Sequence, residues 1–411
     1  MTNQLMKDVH TLVDEVIEIY NTEAGYTKSL PLFGELGDVA GQRYDDVEYL
    51  PQEFRFLAND GYKSKSDNSD VQSVVDRMIP IRRNKSFYIK ASLSTKELRD
   101  PRLRSMVVKG MSTRLKNEID TYALSKVMTA AQMVVAIDGD ITQSTCSKAF
   151  NLMVKNGFSG EAKNLYLSID HYETLSDALA LNQYHGGLPQ TAYERSIIPN
   201  QISGFDKSVR LDYPFAWNAA AGTGVQISGA NQVHTVKTLD SNGNYVDNRY
   251  YLINVNSTAD IAPGDKFTMV DVNGFNPDVN QDVGALKSFT VMDVVSATIL
   301  RVNALIIDEP YKIGSAAPAT DSAITFLNKK TAQPSIFHVD NAVYLIPGNL
   351  PVEPEGAGVQ AINAVTDQGL PMRFTYKYDF DEEELFMKAV CYFDVEPWKP
   401  EQIGMILTNQ A

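Results

Sequence analysis

The fold of this chain is decided by residues 100–132, which read DPRLRSMVVKGMSTRLKNEIDTYALSKVMTAAQ. Asp100 followed by Pro101 is a helix start, because Asp100 can accept a backbone N–H and Pro101 loses no hydrogen bond at the first helical position. Apolar residues at steps of three and four predict one continuous helix of roughly 48 Å. Its apolar side comprises Leu103, Met106, Val107, Met111, Leu115, Ile119, Tyr122, Ala123 and Val127.

The side of this helix opposite the apolar residues is charged. It carries Arg104, Lys109, Arg114, Lys116, Glu118, Asp120 and Lys126. A helix well beyond the usual length of about 11–12 residues is compatible with a coiled coil, with a plain core helix, or with a spine that carries sheet-rich layers. The rest of the sequence offers no second long helix to pair with it, which favours the spine.

Composition limits the classes of protein that need to be considered. A chain of 411 residues is typical of two or three domains. Its formal net charge of −14 argues against coating nucleic acid through the net field, although the chain can still enclose nucleic acid or dock a basic partner. Its two cysteines predict buried free thiols in a reducing cytoplasm. We expect no membrane span and no signal peptide, since charges interrupt every apolar run.

The first 44 residues are predicted to form a helix followed by an extended arm. Residues 4–20 have an amphipathic pattern, and residues 21–44 are rich in glycine with little periodicity. The apolar side of the helix comprises Val9, Leu12, Val13, Val16, Ile17 and Tyr20. The other side comprises Asp8, Asp14, Glu15 and Glu18.

Residues 45–92 indicate two long strand arms around a polar tip at residues 59–70. An isolated two-stranded hairpin is marginally stable in water, so the arms need a surface to cover. That surface belongs either to another subunit or to the chain's own domain. The return arm also carries a basic cluster, which either meets a carboxylate on a neighbour or faces water. The cluster consists of Arg77, Arg82, Arg83 and Lys85.

The remainder of the chain changes character twice. Residues 133–217 mix helices and short strands, residues 218–332 are dominated by β-branched and aromatic residues, and residues 333–411 return to the mixed pattern. Short strands with turn signals predict a small closed barrel inserted within an α+β domain. Its candidate strands are Val233–Thr238, Tyr245–Val255, Lys266–Val272, Phe289–Val295 and Thr298–Ile307.

No sequence pattern is typical of a catalytic, cofactor or metal site. The Gly222-Thr223-Gly224 stretch lacks the third glycine of a dinucleotide loop, and Asp138-Gly139-Asp140 fits a turn better than a cation site. The histidines have no paired ligand spacing; they are His10, His171, His185, His234 and His338. We therefore predict no enzymatic activity, no cofactor and no metal.

Several short blocks resemble, in order, those of a known family. They are residues 11–18 (TLVDEVIE), 97–100 (ELRD), 202–206 (ISGFD), 226–230 (QISGA), 239–240 (LD), 242–244 (NGN), 246–249 (VDNR), 264–266 (GDK) and 399–404 (KPEQIG). Together with the order of regions, they resemble the major capsid proteins of tailed phages with the Hong Kong 97-type fold. Within that superfamily the chain is similar to the P-22-like coat proteins, which carry an inserted β-barrel.

The resemblance implies a domain plan and a function. The plan is an N-terminal arm (1–44), an E-loop hairpin (45–92), a peripheral-domain spine helix (93–132), a first part of the axial domain (133–217), an inserted barrel (218–332), and a return through axial and peripheral domains (333–411). The implied function is a subunit of pentamers and hexamers in an icosahedral shell, built with a scaffolding protein and a portal protein. The shell would enclose double-stranded DNA without sequence-specific contact. It would assemble in the host cytoplasm and form part of the virion.

The resemblance also implies three contact regions. The E-loop tip would lie over an adjacent subunit through Gly61, Lys63, Lys65, Asp67 and Asp70. The barrel turn would reach a neighbouring capsomer through Asp240, Asn242, Asn244 and Tyr245. Asn242 and Tyr245 stand where that family carries charged residues, so these two side chains can form hydrogen bonds there but not salt bridges. Asp14, Glu15 and Glu18 would dock the basic helical end of a scaffolding protein, or else form a solvated helix face. The alternative function is a multidomain enzyme or carbohydrate-binding protein built on the barrel.

Overall fold

The structure of the chain is a computed structural model with two compact units. It describes residues 11, 13–21, 25–33, 47–56, 75–82, 85–94, 100–181, 198, 201–348, 360–379 and 383–410. The first unit comprises Met1–Glu48, Ile81–Val127 and Val343–Pro397. The second comprises Tyr49–Pro80, Met128–Ala342 and Trp398–Ala411.

The long helix is present, and it begins where the sequence predicts. The described α-helices are α1 (13–21), α2 (Pro101–Ala130), α3 (Gln143–Lys155) and α4 (Ile169–Leu181), with short 3-10 turns at Tyr26–Ser29, Asp340–Ala342 and Pro400–Gln402. The Asp100 carboxylate accepts the backbone N–H of Arg102 at 2.9 Å, which confirms the predicted cap. The 30 residues of α2 span about 45 Å.

The buried side of α2 differs from the prediction near the N-terminal end of the helix and at Asp120. Leu103 and Met106 were expected on the apolar side, but they are 43% and 70% exposed, and burial begins at Val108. Asp120 was expected on the charged side, yet it is fully buried. The period of a sequence indicates which residues share a helix face, but it does not indicate how far along the helix other elements pack.

Seventeen strands are described. They are β1 (Val47–Pro51), β2 (Met78–Arg82), β3 (Lys85–Ser94), β4 (Met133–Ala136), β5 (Lys163–Leu167), β6 (Lys207–Arg210), β7 (Tyr250–Asn254), β8 (Lys266–Asn276), β9 (Gln281–Ser296), β10 (Ile299–Asn303), β11 (Ile324–Phe326), β12 (Ser335–Val339), β13 (Val343–Pro347), β14 (Gln360–Val365), β15 (Pro371–Asp379), β16 (Glu384–Pro397) and β17 (Ile403–Leu407).

Residues of the predicted hairpin form shorter strands than expected. β1 and β2 make a two-stranded sheet, and residues 52–56 and 75–77 have no regular structure. The end of the predicted return arm is β3, which pairs along ten residues with β16. The tip lies outside the described residues.

The first unit is built around an antiparallel sheet of β13, β16, β15 and β14, with β3 also paired to β16. One face of β16 is buried through Leu385, Met387, Ala389, Cys391 and Phe393. The alternation of side chains in a strand brings these residues to the same face, which forms the core of this sheet.

The second unit contains two sheets. The first is mixed, in the order β4-β17-β12-β5-β6, with β17 parallel to β4 and β5 parallel to β6. β5, β12 and β17 are buried at every residue, as is expected of strands with both faces covered. In the sequence, β5 lies between α3 and α4, whereas β12 carries His338 and also Ser335, which contacts the buried His171 of α4.

The second sheet of this unit is antiparallel in the order β11-β8-β9-β10-β7, and it lies within the predicted barrel region. It has its own apolar core, which includes Phe267, Phe289 and Val302. Gln226 bridges to Ala323 beside β11, and Ile227 bridges to Val255 beside β7, so one segment pairs with both edges of the sheet. Closure into a barrel stays a prediction.

Two strands predicted in this region are wrong in whole or in part. Residues 233–238 form no strand, and the strand predicted at Tyr245–Val255 begins only at Tyr250. The physical reason is the side chain of Asn248. Its amide donates to the carbonyl of Lys237 at 2.8 Å and its oxygen accepts the N–H of Lys237 at 3.0 Å. A side chain thus satisfies backbone groups that a strand ladder would otherwise pair.

Candidate functional site

The predicted docking acids lie on helix α1. Asp14 and Glu18 are exposed and Glu15 is half-buried. On the other side of the helix, Val13, Val16 and Tyr20 are buried, as the amphipathic pattern predicts. The carbonyl oxygen of Val16 accepts a hydrogen bond from the Ser112 hydroxyl at 3.0 Å. Val9, part of the same predicted face, lies outside the described residues.

The arm after α1 is fixed to α2 by a buried carboxylate. Asp120 Oδ1 accepts both the backbone N–H of Thr27, at 3.0 Å, and the Thr27 hydroxyl, at 2.6 Å. Both residues are fully buried. A charge-assisted hydrogen bond is about twice as strong as a neutral one, so this pair holds the arm to the helix. Sequence reasoning missed the pair, because Asp120 resembles its exposed charged neighbours.

A second buried carboxylate joins α2 to β16. Asp394 Oδ1 accepts the Tyr122 hydroxyl at 3.0 Å, the Lys126 ammonium at 2.8 Å and the N–H of Val395 at 2.7 Å. Lys126 also lies 3.6 Å from Glu396. Burial first, and then the Asp394 charge, raise the pKa of Tyr122, so its hydroxyl stays protonated and donates.

The C-terminal end of α2 receives a lysine from strand β8. Lys266 is fully buried, and its Nζ lies 2.8 Å from the carbonyl oxygen of Met128, 3.1 Å from that of Thr129 and 2.8 Å from that of Ala131. The Thr290 hydroxyl, 2.9 Å away, is a fourth acceptor. The last carbonyls of a helix have no partner within it and carry partial negative charge, so a cation there satisfies both needs.

The surroundings of Lys266 affect its pKa in opposite directions. Burial lowers the pKa of Lys266 well below its usual value, while the neighbouring Asp265 carboxylate raises it. Asp265 is held by the side-chain amide of Asn328, whose oxygen accepts the N–H of Lys266 at 3.0 Å. Only one signal in the sequence points to this arrangement: a Gly-Asp-Lys block immediately before an apolar strand.

The predicted contact turn is built around the Asp240 carboxylate. Asp240 Oδ1 accepts the N–H of Asn242 at 2.7 Å and that of Asn244 at 2.9 Å. Gly243 adopts φ of 82°, in the left-handed region where glycine is unstrained. These bonds, with the N–H of Asn244 first, lower the pKa of Asp240. The Asp240 carboxylate therefore orders the turn, and it already accepts hydrogen bonds from within the chain.

Tyr245, at the end of this turn, contacts an aromatic residue far away in sequence. Its ring centroid lies 4.9 Å from that of Tyr49 in β1. Both rings remain partly exposed, at 44% and 38%. The turn thus brings Asp240, Asn242, Asn244 and Tyr245 together, whereas the tip residues Gly61, Lys63, Lys65, Asp67 and Asp70 lie outside the described residues.

The basic cluster of the return arm is divided. The Arg77 guanidinium lies 4.3 Å from the centroid of the Tyr311 ring and donates to the carbonyl of Glu53 at 3.0 Å. Burial lowers the pKa of Arg77. Lys85 lies over the rings of Phe87 and Tyr122, at 4.8 and 4.7 Å. Arg82 is exposed, and Arg83 lies outside the described residues. The described residues of this basic cluster therefore do not form a single basic surface.

Comparison with known proteins decides the family. The sequence model described as "P22 coat protein - gene protein 5" matches residues 1–409. The chain belongs to the P22 coat protein family.

Solved structures similar to this coat protein come from several phages. One titled "Mycobacterium phage Che8" is 6% identical over 91% of this chain and 88% of that chain, with a TM-score of 0.45. The mature capsid of bacteriophage PhiM1 is 10% identical over 94% and 88%, with a TM-score of 0.46. The I-domain of the CUS-3 coat protein is 32% identical over 26% of this chain and 99% of that chain, with a TM-score of 0.22.

Family membership confirms the main sequence predictions. The chain is a phage major capsid protein with a mixed α and β fold of the Hong Kong 97-like class, and copies of it assemble into a multi-subunit shell. It is a component of the virion, and the role of its family is structural.

The buried histidines and cysteines of this coat protein have structural roles. The His171 ring contacts the hydroxyls of Ser335 and Thr408, at 2.6 and 2.9 Å, while His338 donates to the carbonyl of Val339 and stacks on Tyr166. Burial lowers the pKa of both histidines to about 4. The two cysteines, Cys146 and Cys391, are free and buried, as predicted, and burial raises the pKa of each thiol to about 12.

Within the described ranges, no three His, Cys, Asp or Glu side chains come together as a metal site requires. None of the helices that the structure describes combines the length and the apolar composition needed to cross a membrane.

Proposed function

We propose that this capsid protein forms the pentamers and hexamers of an icosahedral shell that encloses double-stranded DNA. The observation that carries the proposal is the match of the coat-protein family model to residues 1–409. Purified particles should appear in electron micrographs as closed shells with five-fold and six-fold capsomers, and they should elute at the void volume of a sizing column. A small soluble oligomer with no closed particles would contradict it.

The partners of the shell follow from the same proposal. An internal scaffolding protein directs assembly in the host cytoplasm, a portal protein occupies one vertex, and packaged DNA is held without sequence-specific contact. The chain itself carries out no chemical reaction. The net charge of −14 supports enclosure rather than tight coating, because an acidic protein does not attract DNA through its net charge.

The scaffolding protein docks on the acidic side of α1. Support comes from the geometry of the helix: Asp14 and Glu18 are exposed while Val13 and Val16 are buried. Each exposed ion pair contributes only about 0.2–1 kcal/mol, but many scaffold copies in one shell multiply this small term. The competing interpretation is a solvated helix face.

Replacing acidic residues of α1 tests whether the scaffolding protein binds there. Asp14→Ala with Glu15→Ala should reduce the amount of scaffold in isolated particles, and added salt should reduce it in the unsubstituted chain. A matched control is Glu173→Ala with Asp177→Ala, which removes two exposed acids from helix α4. Scaffold content that responds neither to the α1 pair nor to salt would contradict the docking role.

The E-loop tip contacts an adjacent subunit through Gly61, Lys63, Lys65, Asp67 and Asp70. The sequence supports this role because a long polar hairpin needs a surface beyond itself. Deleting residues 63–70 should leave the circular dichroism of the subunit unchanged and lower particle yield. Normal particle yield from the deletion would exclude the contact.

Residues 218–332 form an inserted barrel domain whose turn reaches the next capsomer by hydrogen bonds. The separate apolar core and the segment that pairs with both sheet edges support the domain. Exposed Asn242 and Asn244, presented by the ordered turn, support the contact. An excised fragment of residues 218–332 should give dispersed amide resonances and a cooperative melt, and random-coil spectra would contradict the domain boundary.

A further inference from the structure

One face of the sheet in the first unit carries an unusual group of lysines. Lys90 of β3 lies directly opposite Lys388 of β16 in the antiparallel register. Lys377 of β15 lies opposite Phe386, which places it diagonal to Lys388 on the same face. Like charges directly opposite each other destabilise a strand pair, so this arrangement opposes the folding of the isolated subunit.

An aromatic ring lies close to both of the opposed lysines. Tyr88 is 60% exposed, and its ring centroid lies 5.6 Å from Lys90 Nζ and 5.0 Å from Lys388 Nζ. Ammonium groups within about 6 Å of a ring are attracted to its face. In the part of the chain that the structure describes, neither lysine has a carboxylate at ion-pair distance. The ring holds both cations, but it does not neutralise them.

A groove with a volume of about 600 Å³ lies over these residues. Its walls include Lys90, Ser92, Thr375, Lys377, Phe386 and Lys388. Phe386 is 38% exposed, whereas its neighbours Leu385 and Met387, which point to the opposite face, are each 2% exposed. The groove therefore lies on the open side of the sheet, and the core occupies the other side.

We propose that this basic face, defined by Tyr88, Lys90, Lys377, Phe386 and Lys388, is a contact between subunits and binds a carboxylate-bearing segment of a second copy of the chain. The inference rests on assembly of many copies into one shell, which places other copies against every subunit. Each copy carries 51 acidic against 37 basic side chains, so carboxylates are the charges that a neighbour mostly presents. The exposed rings supply apolar area beside the cations, as is typical of contact centres.

Charge complementarity explains why the opposed lysines are tolerated. A carboxylate placed between Lys90 and Lys388 converts their repulsion into two attractions, and it does so only when a second subunit is present. The opposed lysines therefore destabilise the free subunit relative to a neutral pair, whereas they stabilise the contact between subunits in the shell. This predicts that subunit stability and shell formation respond in opposite directions to loss of the charges.

The first experiment compares variants of the full chain. Lys90→Gln with Lys388→Gln should leave the melting temperature of the free subunit unchanged or raised, and should raise the subunit concentration needed for shells by at least about threefold, since each pair is weak but recurs at every contact. Lys90→Arg with Lys388→Arg keeps the charges and should assemble like the unsubstituted chain. Lys109→Gln with Lys148→Gln removes two exposed lysines elsewhere and is the matched control.

A second experiment identifies the occupant directly. Shells are assembled from an equal mixture of isotopically light and heavy chains and treated with a zero-length carboxyl-to-amine cross-linker. Cross-linked peptides that join Lys90 or Lys388 to an acidic residue should include light–heavy pairs, which arise only between copies.

The outcomes separate this proposal from the shell function itself. If the glutamine variant assembles at the unsubstituted threshold, or if cross-links to these lysines occur only within one chain, the contact does not exist. If that variant forms shells normally but retains less DNA, the face binds nucleic acid instead and the proposal is overturned. Absence of shells from the unsubstituted chain would contradict the shell function and not this face.

Discussion

The Nζ atom of Lys266 lies 2.8 Å from the carbonyl oxygen of Met128, so a lysine of strand β8 binds the C-terminal end of the long helix α2. The two residues are 138 positions apart in the sequence. Because the ammonium is buried and has four oxygen acceptors, it acts as a C-cap supplied by a different element. The carbonyl groups of Met128, Thr129 and Ala131 at this end are therefore satisfied by a side chain from β8.

Replacing Lys266 should destabilise the subunit strongly. Lys266→Met keeps the apolar stem but leaves the carbonyls of Met128, Thr129 and Ala131 without this donor, and a buried unsatisfied group costs about 1–3 kcal/mol. We expect a loss of at least about 2 kcal/mol in the free energy of unfolding, measured by urea denaturation. The exposed Lys329→Met is the control and should change stability little. Equal effects of the two substitutions would show that the cap contributes nothing.

Removing the Asp394 carboxylate should lower the free energy of unfolding more than removing one of its hydrogen-bond donors does. Asp394→Ala removes the acceptor of Tyr122, Lys126 and Val395, and breaking a buried ionic contact costs about 3–5 kcal/mol. Tyr122→Phe removes a single hydrogen bond to a charged group, for about 1.5–3 kcal/mol. The double variant should lose less than the sum of the two, because both act on one network. Additive losses in urea denaturation would contradict the network.

Acid should destabilise the subunit between about pH 6.5 and pH 4. His171 and His338 have pKa values of about 4 in the folded chain, against 6.5 without the fold, because burial penalises their charged forms. As the pH falls below 6.5, the unfolded chain binds protons that the folded chain does not, so stability declines until the folded pKa is reached. Each histidine then accounts for up to about 3 kcal/mol.

His338→Gln tests this pH dependence. The variant lacks one of the two titrating groups, so its unfolding free energy should fall less steeply between pH 6.5 and 4.5 than that of the unsubstituted subunit. Measurements on dissociated subunits in urea at several pH values give the slope. Identical slopes would show that His338 is not a source of the acid sensitivity.

The Asp240 turn should tolerate loss of charge better than loss of its acceptor oxygen. Asp240→Asn keeps an oxygen for the N–H groups of Asn242 and Asn244, whereas Asp240→Ala removes it. Hydrogen exchange of the turn amides should therefore accelerate much more in the alanine variant, and particle yield should fall only there. If Asp240 instead pairs with a cation of a neighbouring subunit, the asparagine variant will assemble as poorly as the alanine variant.

Much of the fold follows from local pattern. The long helix and its Asp100 cap are set by apolar periods and caps of short range, and the mixture of helices and short strands predicted for residues 133–217 is present there as α3, α4 and strands β4 to β6. The buried side of α1 is set in the same way, so its exposed acids could be predicted as a candidate docking face. Strand β11 is not among the strands predicted for the barrel region, because a strand of three residues is too short to show an alternation.

Local sequence pattern predicts the first helix and the long helix, the block of the chain that is rich in strands, and the burial of the Cys146 and Cys391 thiols. Which charged residues are internal depends instead on contacts between residues that are far apart in the sequence. Asp120 meets Thr27 across 93 positions, and Lys126 meets Asp394 across 268. A charged residue on a helix has the same local pattern whether water or a distant partner solvates it, and chain folding alone brings that partner within 3 Å.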